Sequence, residues 1–384
     1  MGELRSFKIL VVAWPCVHFS GAERWWYYVL KELKTINIQI HVLIPAVLKL
    51  GCFLCPEELL NVSRDIIYMP LNKNVILRFL SWVRFLVKMI KRRNVDFVIA
   101  GYQTPIIALT VFVSSIITKR KCFIVFHMPL GWLPYYINER PKLNTKNKLL
   151  IAIFKILNKS CSFLTVSPSV IYDLRRINLN PINVRILNGA AVERPDKIFP
   201  RSYETKDIDI VYLASISKHK GVLDVLEVVR VVKESIPSIK AVIIGRLKED
   251  LRKRIVASIK SYGLEDNVEL LGYVDGHKKF ELLSRSKVMI YPSYMDTFAI
   301  SVLEALTMGT PVVAYSIPAI MINYKTKAVI KVPTGNIQEM GRAVVELLTS
   351  ESKSYSLSEE AMKFAEGFTW RRVASSMLKA IMSG

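Results

Sequence analysis

The sequence predicts an α/β protein made of two Rossmann-like domains. Three observations carry that prediction. The chain has 384 residues, enough for two cores. Short continuous apolar runs, the form taken by strands covered on both faces of a parallel sheet, alternate with stretches of helical period. The alternation breaks once, over residues 191–207, which are charged and carry Pro195 and Pro200, and then starts again. The expected domains are therefore 1–195 and 196–366, followed by a closing amphipathic helix within 367–384.

Residues 9–13 read as the first strand, being apolar and mostly β-branched. The N-terminus imitates a signal peptide, with Arg5 and Lys8 before an apolar stretch. Pro15 and the direct entry into a glycine loop fit a strand better. Ser20-Gly21-Ala22-Glu23-Arg24 then opens a helix that runs to Leu33. At such a strand–glycine–helix junction Gly21 lets the backbone approach a ligand and the free amides of Ala22 and Glu23 face it, which makes Gly21 and Ala22 candidate contacts. Residues 37–44 give a second strand. Residues 76–91 form an amphipathic helix in which Arg78, Ser81, Arg84, Lys88 and Lys91 recur every three or four positions. A solvated face and a membrane-surface contact both fit that pattern.

Strands follow at 95–100 and 122–126, with a helix at 104–117 between them. The second of these strands delivers His127 to its carboxyl end, where open α/β sheets bind ligands. The loop Pro129-Leu-Gly-Trp-Leu-Pro-Tyr-Tyr136 is aromatic and suits an acceptor sugar, a headgroup layer or a core cover. A helix at 146–159 and strands at 163–167 and 184–188 complete the first half. In the second half strands are expected at 208–213, 241–244, 268–271 and 288–291, with helices at 221–234, 249–262 and 278–284. Lys218, His219 and Lys220 precede the first of these helices, where cations neutralise a diphosphate. Asp207-Ile-Asp209 has a metal-binding form but sits at the start of its strand, the wrong edge of a sheet for a site.

Composition narrows the function classes. The net charge is +22, and residues 1–200 hold 28 Lys+Arg against 11 Asp+Glu, leaving only +5 for the rest. The first half therefore favours anionic partners. A nucleic-acid binder is disfavoured because no regular basic–aromatic platform is present. No apolar run reaches the roughly 20 residues a membrane helix needs. The five cysteines are sparse and odd in number, so no disulfide framework is expected, and Cys52-Phe-Leu-Cys55 lacks a second pair for zinc.

The stretch PSYMDTFAISVLEALTMGTPVVAY, residues 292–315, reads as strand end, loop, helix, glycine stop and strand. The helix is expected from about Ala299 to Met308, with the amides of Ala299, Ile300 and Ser301 offering a phosphate site at its positive end. Asp296 and Glu304, eight residues apart and followed by A-L-T-M-G-T-P-V-V-A, resemble the E-x7-E signature of the retaining GT-B glycosyltransferases of family 4. Ser20 to Arg24 resembles that family's G-G-A-E-R loop, and the Asn188-Gly189 turn its interdomain crossover. The loop Asp296-Thr297-Phe298-Ala299 stands where the family has Glu-Gly-Phe-Gly. Threonine and alanine do not reach φ > 0 easily, so the residue types leave the loop's conformation, and the donor it accepts, open. Ser215 stands where the family has an arginine that pairs with the lysine of K-G, here Lys220.

The resemblance implies the GT-B fold, α/β with two Rossmann-like domains facing a cleft, a final helix crossing back to the first domain, and transfer of a sugar from a nucleoside diphosphate to an acceptor hydroxyl with retention. It implies catalytic roles for His127, Asp296 and Lys220. It implies donor contacts at Gly21, Ala22, Ser215, Lys218, Lys220, Arg246, Tyr273, Val274, Asp296, Thr297, Phe298, Ala299, Ile300, Ser301 and Glu304, with Asp296 orienting sugar hydroxyls and Glu304 holding the ribose. No metal and no cofactor beyond the nucleotide-sugar co-substrate is expected. The expected partners are that donor, a glycan or lipid-linked acceptor and an anionic membrane surface, at a cytoplasmic location peripheral to the membrane. An inactive GT-B scaffold that binds without transferring is the alternative.

Overall fold

The computed structural model describes residues 7–12, 21–36, 38–45, 61–70, 72–127 and 145–383. The chain divides into two compact units, Met1–Ala190 with Thr369–Gly384, and Ala191–Phe368.

In the first unit seven parallel strands lie in the order β3-β2-β1-β4-β5-β6-β7. They are β1 (Lys8–Val12), β2 (Gln39–Pro45), β3 (Asp65–Met69), β4 (Phe97–Ala100), β5 (Lys121–Phe126), β6 (Cys161–Thr165) and β7 (Val184–Ile186). Helices α1 (Gly21–Thr35), α2 (Val75–Arg93), α3 (Pro105–Thr118), α4 (Thr145–Leu157) and α5 (Pro168–Arg176) alternate with them. The middle strands are buried along their length, β4 and β6 entirely, as a sheet covered on both faces requires. Strand β3 and helix α5 go beyond the sequence reading. Strand β3 sits at the sheet edge and is only partly buried, although Ile66, Ile67, Tyr68 and Met69 give it an apolar run.

The expectation of no disulfide is corrected: Cys122 and Cys161 are bonded. They are register partners on β5 and β6, with Cα atoms 4.7 Å apart, within the usual range for a bridge. Spacing in sequence could not show this, because the pairing depends on which strands become neighbours. Cys52, Cys55 and the aromatic loop 129–136 lie outside the described residues.

The second unit holds six parallel strands in the order β10-β9-β8-β11-β12-β13. These are β8 (Ile208–Leu213), β9 (Ala241–Ile244), β10 (Val268–Gly272), β11 (Ser286–Tyr291), β12 (Val312–Tyr315) and β13 (Val329–Val332). Helices α6 (Val222–Ser235), α7 (Glu249–Ser261), α8 (Gly276–Ser284), α9 (Ile300–Thr307), α10 (Pro318–Asn323), α11 (Ile337–Thr349) and α12 (Glu351–Ala365) pack on both faces. Asp207 and Asp209 are ion-paired with Arg285 and Lys287, which accounts for the D-x-D pair structurally. The closing helix α13 (Trp370–Met382) belongs to the first unit, where it packs on α1 and Trp370 stacks on Tyr28 with ring centres 4.9 Å apart.

Candidate active site

Strand order fixes where a ligand can sit in the second unit. From β8 the sheet grows outward through β9 and β10, and then resumes on the other side with β11. The connections after β8 and β11 therefore run to opposite sides, which makes the carboxyl ends of these two strands the switch point where open α/β sheets bind ligands. The loop after β8 carries Ser215, Lys218 and Lys220, and the loop after β11 carries Asp296 to Ala299. Arg246 follows the end of β9, and Tyr273 and Val274 follow the end of β10.

A glycine lets the two central loops close on each other. Gly221 has φ +70, and a Cβ there would lie 1.9 Å from the carbonyl oxygen of Pro292. The loops are then stitched together. The Tyr294 amide donates to the His219 carbonyl at 2.9 Å, and the Tyr212 hydroxyl donates to the Lys220 carbonyl at 3.0 Å. Lys220 Nζ donates to the Met295 carbonyl at 3.1 Å and pairs with Asp296 Oδ2 at 2.5 Å.

Asp296 is the hub of the site. Its Oδ1 accepts from the amides of Thr297 at 2.7 Å, Phe298 at 3.3 Å and Ala299 at 3.0 Å. Its Oδ2 accepts from Lys220 and from the hydroxyl of Tyr291. Burial pushes this carboxyl up, but the Lys220 ammonium, the Tyr291 hydroxyl and the Ala299 amide outweigh it and hold the group at about 2.

The loop's conformation is thereby settled, and one expectation is corrected. Ala299 does adopt the left-handed conformation, φ 61, that glycine would supply. The carboxylate gathers three successive amides, and the Tyr324 hydroxyl holds the Ala299 carbonyl at 2.8 Å, so the loop is over-determined. The Ala299 amide is also not open to a phosphate, because Asp296 takes it. The aspartate is one methylene shorter than glutamate, and its carboxylate turns back onto its own loop. Helix α9 starts at Ile300, so the amides of Ile300 and Ser301 are its first two and have no intrahelical partner.

Glu304, on α9, is buried and paired with Lys279 of α8 at 2.6 Å, and Asp275 lies 3.3 Å from the same ammonium. Arg246 is exposed and its guanidinium lies 5.1 Å from the centre of the exposed Tyr273 ring. Val274, Ile300 and Ser301 are half-buried, Thr297 and Phe298 buried, and Ser215 and Lys218 exposed.

In the first unit the carboxyl ends of β4 and β5 assemble a second cluster. His127 lies against Trp25, Tyr102 and Trp26, with ring centres 5.1, 5.0 and 6.1 Å away. The Tyr102 hydroxyl donates to Glu23 Oε1 at 2.8 Å, and the Trp26 indole donates to the Gly101 carbonyl at 2.9 Å. His127 Nε2 is buried and has no hydrogen-bond partner among the described residues. Burial lowers the imidazole to about 4, against the charge of Glu23 and a hydrogen bond to Gly101, so the ring is neutral near pH 7. Gly21 and Ala22 open α1 at this same edge of the sheet. Because α1 turns Trp25 and Trp26 inward, its first turn is fixed against this cluster.

Comparison with known proteins adds two family models, Glycosyltransferase Family 4 over residues 19–193 and Glycosyl transferases group 1 over residues 193–364. The chain belongs to the GT-B glycosyltransferases. Solved structures share the fold over nearly all of the chain. A glycosyltransferase from Rickettsia africae matches with a TM-score of 0.78 and 17% identity, over 99% of this chain and 98% of that one. Anabaena HepE, solved with UDP and glucose, matches with a TM-score of 0.74 and 15% identity over 98% and 100%. Among curated relatives, the poly(glycerol-phosphate) alpha-glucosyltransferase of Bacillus subtilis is 28% identical over 41% of this glycosyltransferase. A D-inositol 3-phosphate glycosyltransferase of Mycobacteroides abscessus is 28% identical over 31%. The matched segments span only 23% and 26% of those two relatives' lengths.

Sequence reading missed Tyr291, Tyr324, Lys279 and Tyr102 as site residues, and of Glu23 it saw the amide and not the carboxylate. Tyr291 ends an apolar strand and reads as core. Lys279 reads as a solvated helix cation, although Asp275 four residues earlier is the spacing of a helical ion pair.

Proposed function

We propose that this protein transfers a sugar from a nucleoside diphosphate to an acceptor hydroxyl with retention of anomeric configuration, and that the donor's diphosphate is held in the second unit. The observation that carries the reading is the convergence of donors at the β8/β11 switch point. Lys220 is held by the Met295 carbonyl and Asp296, on the loop that leads into the first amides of α9, so these groups are fixed before any ligand arrives. Preorganised positive groups of this kind stabilise the charge that develops on a leaving diphosphate. In this reading Asp296 positions Lys220 and the loop, and a sugar hydroxyl reaches it by replacing Tyr291 or an amide. Glu304, steadied by Lys279, accepts the ribose hydroxyls, and Arg246 with Tyr273 lies on the nucleobase side. A diphosphate oxygen takes the acceptor proton while neutral His127 contacts the sugar. The arrangement asks for no metal, so a chelator leaves the rate unchanged. The acceptor is a glycan or a lipid-linked glycan.

The test is thermal-shift screening against UDP-, GDP- and ADP-sugars, followed by transfer assays on lipid and glycan extracts. One nucleotide at a hundred times its dissociation constant adds about 2.7 kcal/mol, a shift of several degrees. Lys220→Ala removes that shift. If no nucleoside diphosphate stabilises the wild type, the reading fails. A shift without transfer or donor hydrolysis would favour the inactive scaffold, for which Ser215 in place of the phosphate-side arginine is the supporting observation.

A further inference from the structure

Helix α2 presents a face that the described residues leave uncovered. Val75, Ile76, Leu77 and Leu80 are 62%, 70%, 54% and 55% exposed, although buried Trp82, Val83, Leu86, Met89 and Ile90 show that the opposite face packs into the core. Ile76, Leu80 and Arg84 follow at four-residue intervals, with Leu77, Lys88 and Lys91 beside them, so one outward face runs from an apolar tip to a cationic flank. The helix carries six Lys and Arg and no acid, even in the first turn where an acid is favoured.

The tip is built rather than frayed. Asn74 caps it by accepting from the amides of Ile76 and Leu77. Arg78 bonds the carbonyls of Asn72 and Lys73, and the Trp82 indole bonds the Pro70 carbonyl. Arg78 is thus spent on the loop and Arg93 on Asp65, while Arg84, Lys88 and Lys91 point outward. Energy is therefore committed to holding apolar side chains in water, which marks an interaction surface.

We propose that this face of α2 docks the protein on an anionic lipid bilayer, the tip entering the headgroup boundary and Arg84, Lys88 and Lys91 meeting lipid phosphates. Charge complementarity selects that occupant over a protein. The flank extends the +17 of residues 1–200. Lysine is depleted at protein interfaces, and four side chains fall far short of the roughly 800 Å² a stable partner buries. A bilayer requires no matching shape and rewards each cation near its surface. The start of α2 lies at the carboxyl edge of the first sheet, the edge that also carries Gly21 and His127. Docking there brings that edge toward lipid headgroups, and it does not rest on the sugar-transfer reading.

The experiment is cosedimentation of the full chain with vesicles of phosphatidylcholine alone or mixed with phosphatidylglycerol. It compares wild type with Ile76→Ser/Leu77→Ser/Leu80→Ser and with Arg84→Glu/Lys88→Glu/Lys91→Glu, each first shown by thermal melting to fold as wild type does. The wild type should sediment with anionic and not with neutral vesicles. The apolar variant should partition about tenfold more weakly, and the charge-reversed variant about a hundredfold, the latter shrinking as salt is raised. Wild type left in the supernatant with anionic vesicles overturns the proposal. So does an apolar variant that sediments like wild type, or one that only turns a dimer into a monomer on gel filtration, which would give the face to a second copy.

Discussion

Gly221 is a single residue on which the geometry of the second unit turns. Its left-handed backbone and the 1.9 Å approach of the Pro292 oxygen leave no room for a methyl group. Gly221→Ala should destabilise the protein by about 3 kcal/mol. Gly276→Ala, at φ +59 with open space around it, should cost only the conformational part, about 1 kcal/mol. Denaturation midpoints of the two variants measure the difference. His127 gives a second test. Its folded value near 4 lies below the unfolded value near 6.5, so its neutral form contributes stability above about pH 6.5 that is lost as the pH falls toward 4. His127→Gln should flatten that acid limb in a plot of melting temperature against pH. Ser215→Arg should restore the second phosphate cation and raise the nucleotide-induced melting shift, with no change in the free protein. Equal shifts in the two proteins would remove position 215 from the donor site.

At the level of elements, the parallel strands were the legible part, because a strand buried on both faces must be apolar throughout. Strands β8 and β9 occur at the expected residues. Between Tyr315 and the closing helix, which was expected and is present, no element was read: β13 is only four residues long, and α11 and α12 mix polar and apolar positions at a junction of two helices. The register of β5 against β6 creates the Cys122–Cys161 bond, which no local pattern announces. Replacing both cysteines by alanine should cost about 3 to 4 kcal/mol, the cross-link closing a loop of 39 residues. Both sulfurs belong to buried residues, at 4% and 0% exposure, so a reductant added to the native protein should act only as it unfolds. Midpoints that do not respond to either change would show the bond to be energetically idle. The loop before α9 shows the other limit of local reading. Its residue types argue against a left-handed turn, yet contacts from Tyr291, Lys220 and Tyr324 impose one, and those partners lie 5 to 76 positions away.

For the whole molecule, the two-domain α/β plan was legible from length, alternation and one polar linker, and the site's backbone from the D-x7-E spacing. The sharing of Asp296 among five donors was not legible, because it depends on two loops meeting at a switch point. No helix among the described residues is long and apolar enough to cross a membrane. The charge asymmetry therefore speaks to surfaces that the chain can touch rather than span. The chain also passes between its two units twice, near Ala190 and near Phe368, because α13 completes the first unit. On a ribosome, which releases the N-terminus first, α1 must wait with its outer side uncovered until the other unit has been synthesised and Trp370, Val373, Met377 and Ile381 emerge. The half of the protein made first is thus the last to be finished, and a stop codon just before Thr369 should cripple the unit whose sequence begins more than 300 residues upstream.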